Sequence, residues 1–218
     1  MNEFKEKLAQ AALNHIEDNM IIGVGTGSTM NYFIDALKPI KHRIDACVAS
    51  SVATADRLRA LGISVVDLSV AEPLALYIDG ADEVTRHRQM IKGAGGAFTR
   101  EKILATAARE FICLVDFSKQ VNRLGAAPVP VEVLPLARSF VARALVKLGG
   151  DPVYRQGFMT DNGNCVLDVF NLDLSEPQRM EDAINLIPGV LENGLFAHRP
   201  ADRVLIADAS GVHELKEP

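Results

Sequence analysis

The chain of 218 residues has no tryptophan, three tyrosines and three cysteines, and it carries no excess of positive charge. Cys47, Cys113 and Cys165 are odd in number, lie far apart and sit in apolar, strand-like surroundings, which argues against a disulfide framework and against a cysteine metal site. They read as small core hydrophobes. Lysine and arginine total 23 against 28 aspartates and glutamates, a net charge of -5, and no basic stripe appears. Nucleic-acid binding is dominated by clustered cations that neutralise phosphates, so a general nucleic-acid surface is excluded. The first seventeen residues carry charges on a helical pattern, with Phe4, Leu8, Ala11, Ala12 and Ile16 on one side, unlike a signal peptide or a membrane span. A cytoplasmic location without membrane attachment is the default expectation.

What is present is a core-forming composition, 48% hydrophobic, sufficient for one domain or for one domain plus a small appendage. Between residues 20 and 117, short aliphatic runs alternate with helical stretches. Met20 to Val24, Asp45 to Val48, Ser64 to Asp67, Leu74 to Ile78 and Phe111 to Val115 read as buried strands. This alternation predicts an α/β fold with an open, mostly parallel, Rossmann-like sheet. After Ala126, the segment Ala127-Pro128-Val129-Pro130 breaks the rhythm. A strand at 131–134, a helix over 136–148, strands at 152–159 and 165–170 around an Asp161-Asn162-Gly163-Asn164 turn, a second helix over 180–187 and a strand at 190–196 follow. The order βαββαβ predicts a smaller α+β ferredoxin-like domain over 127–200. The large α/β catalytic domain is then 1–126 plus 201–218, with Arg203 to Ala207 as a strand returning to its sheet.

Three loops follow predicted parallel strands: Gly23-Val24-Gly25-Thr26-Gly27-Ser28-Thr29, Asp79-Gly80-Ala81-Asp82-Glu83, and Asp116-Phe117-Ser118-Lys119. Open α/β sheets bind ligands beyond the carboxyl ends of their strands, so these loops are expected to share a crevice. The first is not a dinucleotide fingerprint, because Ser28 or Met30 stands where the last glycine belongs, and no Gly-Lys-Ser/Thr makes it a P-loop. An NAD-linked dehydrogenase is therefore disfavoured. Its glycines and the hydroxyls of Thr26, Ser28 and Thr29 beside a helix start suit a phosphate or several sugar hydroxyls; a plain structural turn is the competing reading.

Asp79 and Asp82 stand close together after an apolar strand, where mutual repulsion and burial call for a cation or a task. No histidine lies at ligand spacing, and His15, His42, His87, His198 and His213 are scattered without a partner pattern, so no metal is expected. Lys92 and Lys119 are the natural counter-charges and suit an anionic ligand. Lys92-Gly93-Ala94-Gly95-Gly96 leads into a helix beginning near Thr99, with Glu101 in its first turn. Its glycines let backbone N–H groups approach a ligand. Glu101 has two readings, an acid complementing the helix dipole behind a Thr99 cap, or a proton carrier. Carboxylates, lysines and backbone donors are tools for proton transfer beside a carbonyl.

These segments, together with Tyr77-Ile78-Asp79-Gly80-Ala81-Asp82-Glu83, Val131-Glu132-Val133-Leu134-Pro135 and Thr160-Asp161-Asn162-Gly163-Asn164, strongly resemble the type A ribose-5-phosphate isomerase family over nearly the whole chain. The resemblance implies interconversion of D-ribose 5-phosphate and D-ribulose 5-phosphate through an enediolate in the non-oxidative pentose phosphate pathway, with no metal or organic cofactor. It also implies a homo-oligomer, commonly a homodimer. By the same resemblance Glu101 is the base, while Asp79, Asp82 and Lys92 assist ring opening and polarise the reacting oxygens. Thr26, Gly27, Ser28, Thr29 and Lys119 bind the sugar phosphate, with Lys5 a weaker candidate. Gly80, Ala81, Gly93, Ala94 and Gly95 line the substrate. One departure stands out: the family usually has a glycine at the position of Ala94, and if that residue needs a positive φ, alanine is strained there by ~1 kcal/mol or more. The alternative from another class is a non-catalytic sugar-phosphate sensor, although no segment is long or basic enough for a DNA-binding module.

Overall fold

Runs such as Met20-Ile21-Ile22-Gly23-Val24 and Phe111-Ile112-Cys113-Leu114-Val115 have apolar side chains at consecutive positions, so both faces of their strands must be covered. The computed structural model describes residues 2–71 and 73–216. Its strands are β1 (Met20–Val24), β2 (Ile44–Ala49), β3 (Leu74–Gly80), β4 (Glu83–Val84), β5 (Met90–Ile91), β6 (Ala108–Asp116), β7 (Val129–Val133), β8 (Asp151–Tyr154), β9 (Cys165–Phe170), β10 (Val190–Asn193), β11 (Leu195–Phe196), β12 (Arg203–Asp208) and β13 (Gly211–Glu214). The helices are α1 (Asn2–Ala12), α2 (Ser28–Leu37), α3 (Val52–Ala60), α4 (Phe98–Ala107), α5 (Arg138–Lys147) and α6 (Pro177–Asn185). The fold is mixed α/β, with a mostly parallel central sheet and additional antiparallel sheets. No helix among the described residues is long and apolar enough to cross a membrane.

Two units are resolved. The first comprises residues 1–81, 100–120 and 201–218. Its six-stranded sheet has the order β13-β12-β6-β3-β1-β2, parallel throughout except for the β12–β13 pair. Leu8, Ile22, Phe33, Leu37, Leu58 and Ile78 belong to its core, and α1 lays Leu8, Ala9 and Ala12 into that core. Because β1 pairs with β2 on one side and β3 on the other, the strand order reverses there. The gap beyond the carboxyl ends of β1 and β3 is the switch point of the sheet.

Residues 64–67, expected to form a strand, contribute only a single bridge from Val65 to Cys47. The Asp67 carboxylate accepts the Ser69 N–H and turns the chain into a 3-10 turn over Leu68–Val70, which ends the pairing.

The second unit comprises residues 82–99 and 121–200. Its antiparallel sheet runs β10-β7-β9-β8, the fourth, first, third and second strands of a βαββαβ unit, which is the ferredoxin-like order. Val141 and Leu145 of α5 and Ile184 of α6 pack with Val131, Leu167 and Val169 of that sheet. The turn expected at 161–164 is present, with Gly163 at φ +78 and its N–H bonded to the Thr160 carbonyl. A small sheet, β11-β5-β4, completes the unit.

Candidate functional site

In the first unit the site is built on the switch point. The chain leaves β1 through Gly25, whose N–H bonds the Ile78 carbonyl at 2.9 Å, so this loop lies against the end of β3. The approach is close enough that a Cβ on residue 25 would stand 1.9 Å from Asp79 Oδ1. Only glycine fits there. Asp79 is fully buried, and its carboxylate accepts hydrogen bonds from the Thr26 N–H at 3.2 Å, the Gly80 N–H at 2.7 Å and the Tyr77 hydroxyl. Tyr77 and Asp79 are two apart on β3 and so point to the same face. Burial first, then the negative charges of Asp79 and Glu101, push the Tyr77 phenol well above its ordinary pKa. Tyr77 thereby stays a neutral donor, with both carboxylates near enough to act on it.

Glu101 is 3% exposed in the first turn of α4. The dipole of the helix favours a negative charge at that end, but burial distinguishes this glutamate from a solvated dipole-complementing acid. Thr99 does not cap the helix in the expected way. It lies inside the first turn, and its hydroxyl donates to Glu132, a buried carboxylate that also accepts from Thr160, Asn162 and Asn164.

The Thr26 hydroxyl turns inward, 2.7 Å from Ser50 Oγ, 2.8 Å from Ser51 Oγ and 3.2 Å from Thr54 Oγ1. Ser51 caps α3 by accepting the Thr54 N–H, and Thr54 donates on to the Gly25 carbonyl. Gly27, at φ +125, starts α2, so Ser28 and Thr29 occupy its first turn with Ser28 exposed. Lys5 donates to Ser28 Oγ at 2.8 Å. Lys119 stands half-buried in the 3-10 turn at the carboxyl end of β6, where Asp116 accepts the Ser118 N–H. The first unit thus brings Thr26, Asp79, Gly80 and Glu101 into one neighbourhood with Tyr77, and Lys5 to Ser28.

In the second unit, Asp82 accepts the Ala94 N–H at 2.9 Å. Lys92 is 2% exposed, with its ammonium 5.4 Å from the centroid of the Phe196 ring. Gly93 and Gly96 have φ of +114 and +78, whereas Ala94 is not among the residues with positive φ. The alanine therefore escapes the left-handed strain expected of it, and the left-handed step of this loop falls on Gly96 instead. Ala94 and Gly95 form the exposed tip. Among the described residues, no group of three or more His, Cys, Asp or Glu is arranged to hold a metal ion.

Sequence reasoning passed over Ser50, Ser51, Thr54 and Tyr77. The cap pattern Ser51-x-x-Thr54 and the i, i+2 spacing of Tyr77 and Asp79 were the available signals.

An open α/β sheet with buried carboxylates and a helix start at its switch point is a binding unit for small, polar, anionic molecules. The ribose 5-phosphate isomerase A (phosphoriboisomerase A) family model matches residues 46–211. Ribose-5-phosphate isomerase A of Legionella pneumophila (strain Corby) is 63% identical over 216 residues, covering 99% of this chain and 100% of that relative. The crystal structure of ribose 5 phosphate isomerase A from Neisseria gonorrhoeae superposes with a TM-score of 0.95 at 45% identity, covering 97% of this chain and 95% of that one. A D-ribose-5-phosphate isomerase solved in complex with phospho-erythronic acid has a TM-score of 0.94 at 37% identity, covering 100% of this chain and 99% of that one. The chain belongs to the ribose 5-phosphate isomerase A family.

Proposed function

We propose that the chain performs the aldose–ketose interconversion of its family with Glu101 as the general base. The reaction converts ribose 5-phosphate to ribulose 5-phosphate, a step of the pentose phosphate pathway. The observation that carries the residue assignment is the buried Glu101 carboxylate, whose charge acts, as that of Asp79 does, on the Tyr77 phenol at the end of β3. Glu101 takes the proton from C2 of the open-chain aldose, leaving an enediolate, and returns it to C1. Removing that proton requires the neighbouring oxygens to be stabilised as charge develops on them.

Asp79, Asp82 and Lys92 take the roles of opening the ring and polarising O1 and O2. Backbone at Gly80, Ala81, Gly93, Ala94 and Gly95 lines the sugar. The first turn of α2 supports the phosphate assignment: Thr26, Gly27, Ser28 and Thr29 bind it with Lys119, and the bond from Lys5 to Ser28 adds a further positive charge.

The functional form is a cytoplasmic homodimer. Supporting the dimer, the second unit exposes large apolar side chains, including Leu136 at 99% and Leu186 at 81%. Sedimentation at micromolar concentration checks the assembly. The sensor reading is not favoured, because the curated relatives are named as isomerases. Incubation with ribose 5-phosphate alone, without nucleotide, tests the activity: ketopentose accumulates to a fixed ratio, and an unchanged aldopentose would overturn the assignment.

A further inference from the structure

The tail of β8 lies over the glycine loop of the second unit. Arg155 donates from Nε to Asp168 Oδ2 at 2.9 Å and from Nη2 to Oδ1 at 2.5 Å, a bidentate pair joining it to β9. The rest of the guanidinium faces the loop. Nη1 and Nη2 both reach the Gly93 carbonyl at 3.3 Å, and Nη1 reaches the Ala94 carbonyl at 3.2 Å. Phe158, three residues on, lies under the guanidinium at 5.1 Å from its centroid. A Cβ on Gly96 would meet that ring at 2.1 Å, so the loop packs directly against it.

We propose that Arg155 is a positioning residue for the reaction, setting the direction in which the 93–95 backbone presents its donors. The proposal rests on the reading that the Lys92–Gly95 loop binds the sugar. In a trans peptide the carbonyl and the following N–H point in opposite directions. Holding the Gly93 carbonyl on Arg155 therefore turns the Ala94 N–H away from it, and that N–H meets Asp82. Holding the Ala94 carbonyl likewise turns the Gly95 N–H away from Arg155, at the exposed tip where the sugar is assigned. One guanidinium so fixes the orientation of Asp82 and of the Gly95 donor. The planar fork is needed for this: it grips the carboxylate with one edge and two carbonyls with the other, which an ammonium on a flexible stem cannot reproduce.

The test is steady-state kinetics of Arg155→Lys and Asp168→Asn with ribose 5-phosphate, alongside urea unfolding of each variant. Arg155→Lys is expected to lower kcat roughly 10- to 100-fold, the scale of a small misplacement of reacting groups, while KM moves less than about threefold. Asp168→Asn, which loosens the guanidinium without removing it, lowers kcat in the same direction by less, and it serves alone if the arginine variant fails to fold. Hydrogen exchange at residues 93–96 quickens in both, a change that a remote structural role would not produce. A kcat within about twofold of the parent in the folded variants overturns the proposal. Lys92→Met separates the two layers: an inactive Lys92→Met beside a fully active Arg155→Lys defeats the clamp alone, whereas a fully active Lys92→Met defeats the loop reading and the clamp with it.

Discussion

The Tyr77 hydroxyl donates to the Asp79 carboxylate two residues along the same strand, and neither side chain has any solvent exposure. Tyr77→Phe leaves the buried carboxylate short of one donor, a loss expected to cost about 1–3 kcal/mol in urea unfolding. The alkaline limb gives a second readout. The folded-state pKa of Tyr77 lies above the unfolded value of about 10, so its contribution is complete below pH ~10 and is lost as pH rises toward the folded value. The parent should lose stability above pH ~10 more steeply than Tyr77→Phe, and parallel curves would contradict the assignment.

Glu101→Gln keeps the size and the hydrogen-bonding capacity of the side chain and removes its basicity. Turnover of ribose 5-phosphate should fall roughly 100-fold or more, the usual scale for a general base, with KM changing by no more than a few-fold. Near-parental kcat in this variant would take Glu101 out of the mechanism.

Lys119→Ala is expected to act on binding. A phosphate contact changes little between ground and transition states, so KM rises about 10-fold or more while kcat holds. A fall confined to kcat would contradict a phosphate-gripping role.

Thiol chemistry reports on the core. Burial pushes the Cys47 thiol up to about 12, and Cys113 is likewise fully buried, whereas Cys165 is partly exposed. At pH 8 iodoacetamide should label Cys165 first, with Cys47 and Cys113 reacting only in denaturant. Rapid native-state labelling of Cys47, followed by mass spectrometry of its peptide, would contradict a closed core around β2.

Much of the fold is legible because apolar runs and strand spacing are local signals. Met20 to Val24 and Cys165 to Phe170 coincide with β1 and β9. The Ser64 to Asp67 run holds the β-branched pair Val65 and Val66, but a side-chain turn at Asp67 competes with the ladder and wins. The run at 190–196 divides at Gly194, where β10 and β11 join different sheets. Of the site, Asp79 and Glu101 stand out as carboxylates at a strand end and a helix start. The partners that hold them do not. Ser50, Ser51 and Thr54 reach Thr26 from the start of another helix, and Glu132 gathers Thr99 from one segment and Thr160, Asn162 and Asn164 from another. Such gatherings are products of the tertiary fold, and residue type at one position does not announce them.

The pairing of β6 with β12 has a consequence during synthesis. Ile112 to Asp116 leave the ribosome long before Arg203 to Ala207, their partners on that side of the sheet. Until residue 208 is made, β6 is an edge strand with open backbone groups and the apolar run Phe111 to Val115, a template for wrong pairing between nascent chains. Chains stopped before Arg203 should therefore aggregate rather than accumulate as folded fragments, even though every proposed catalytic residue has already been translated.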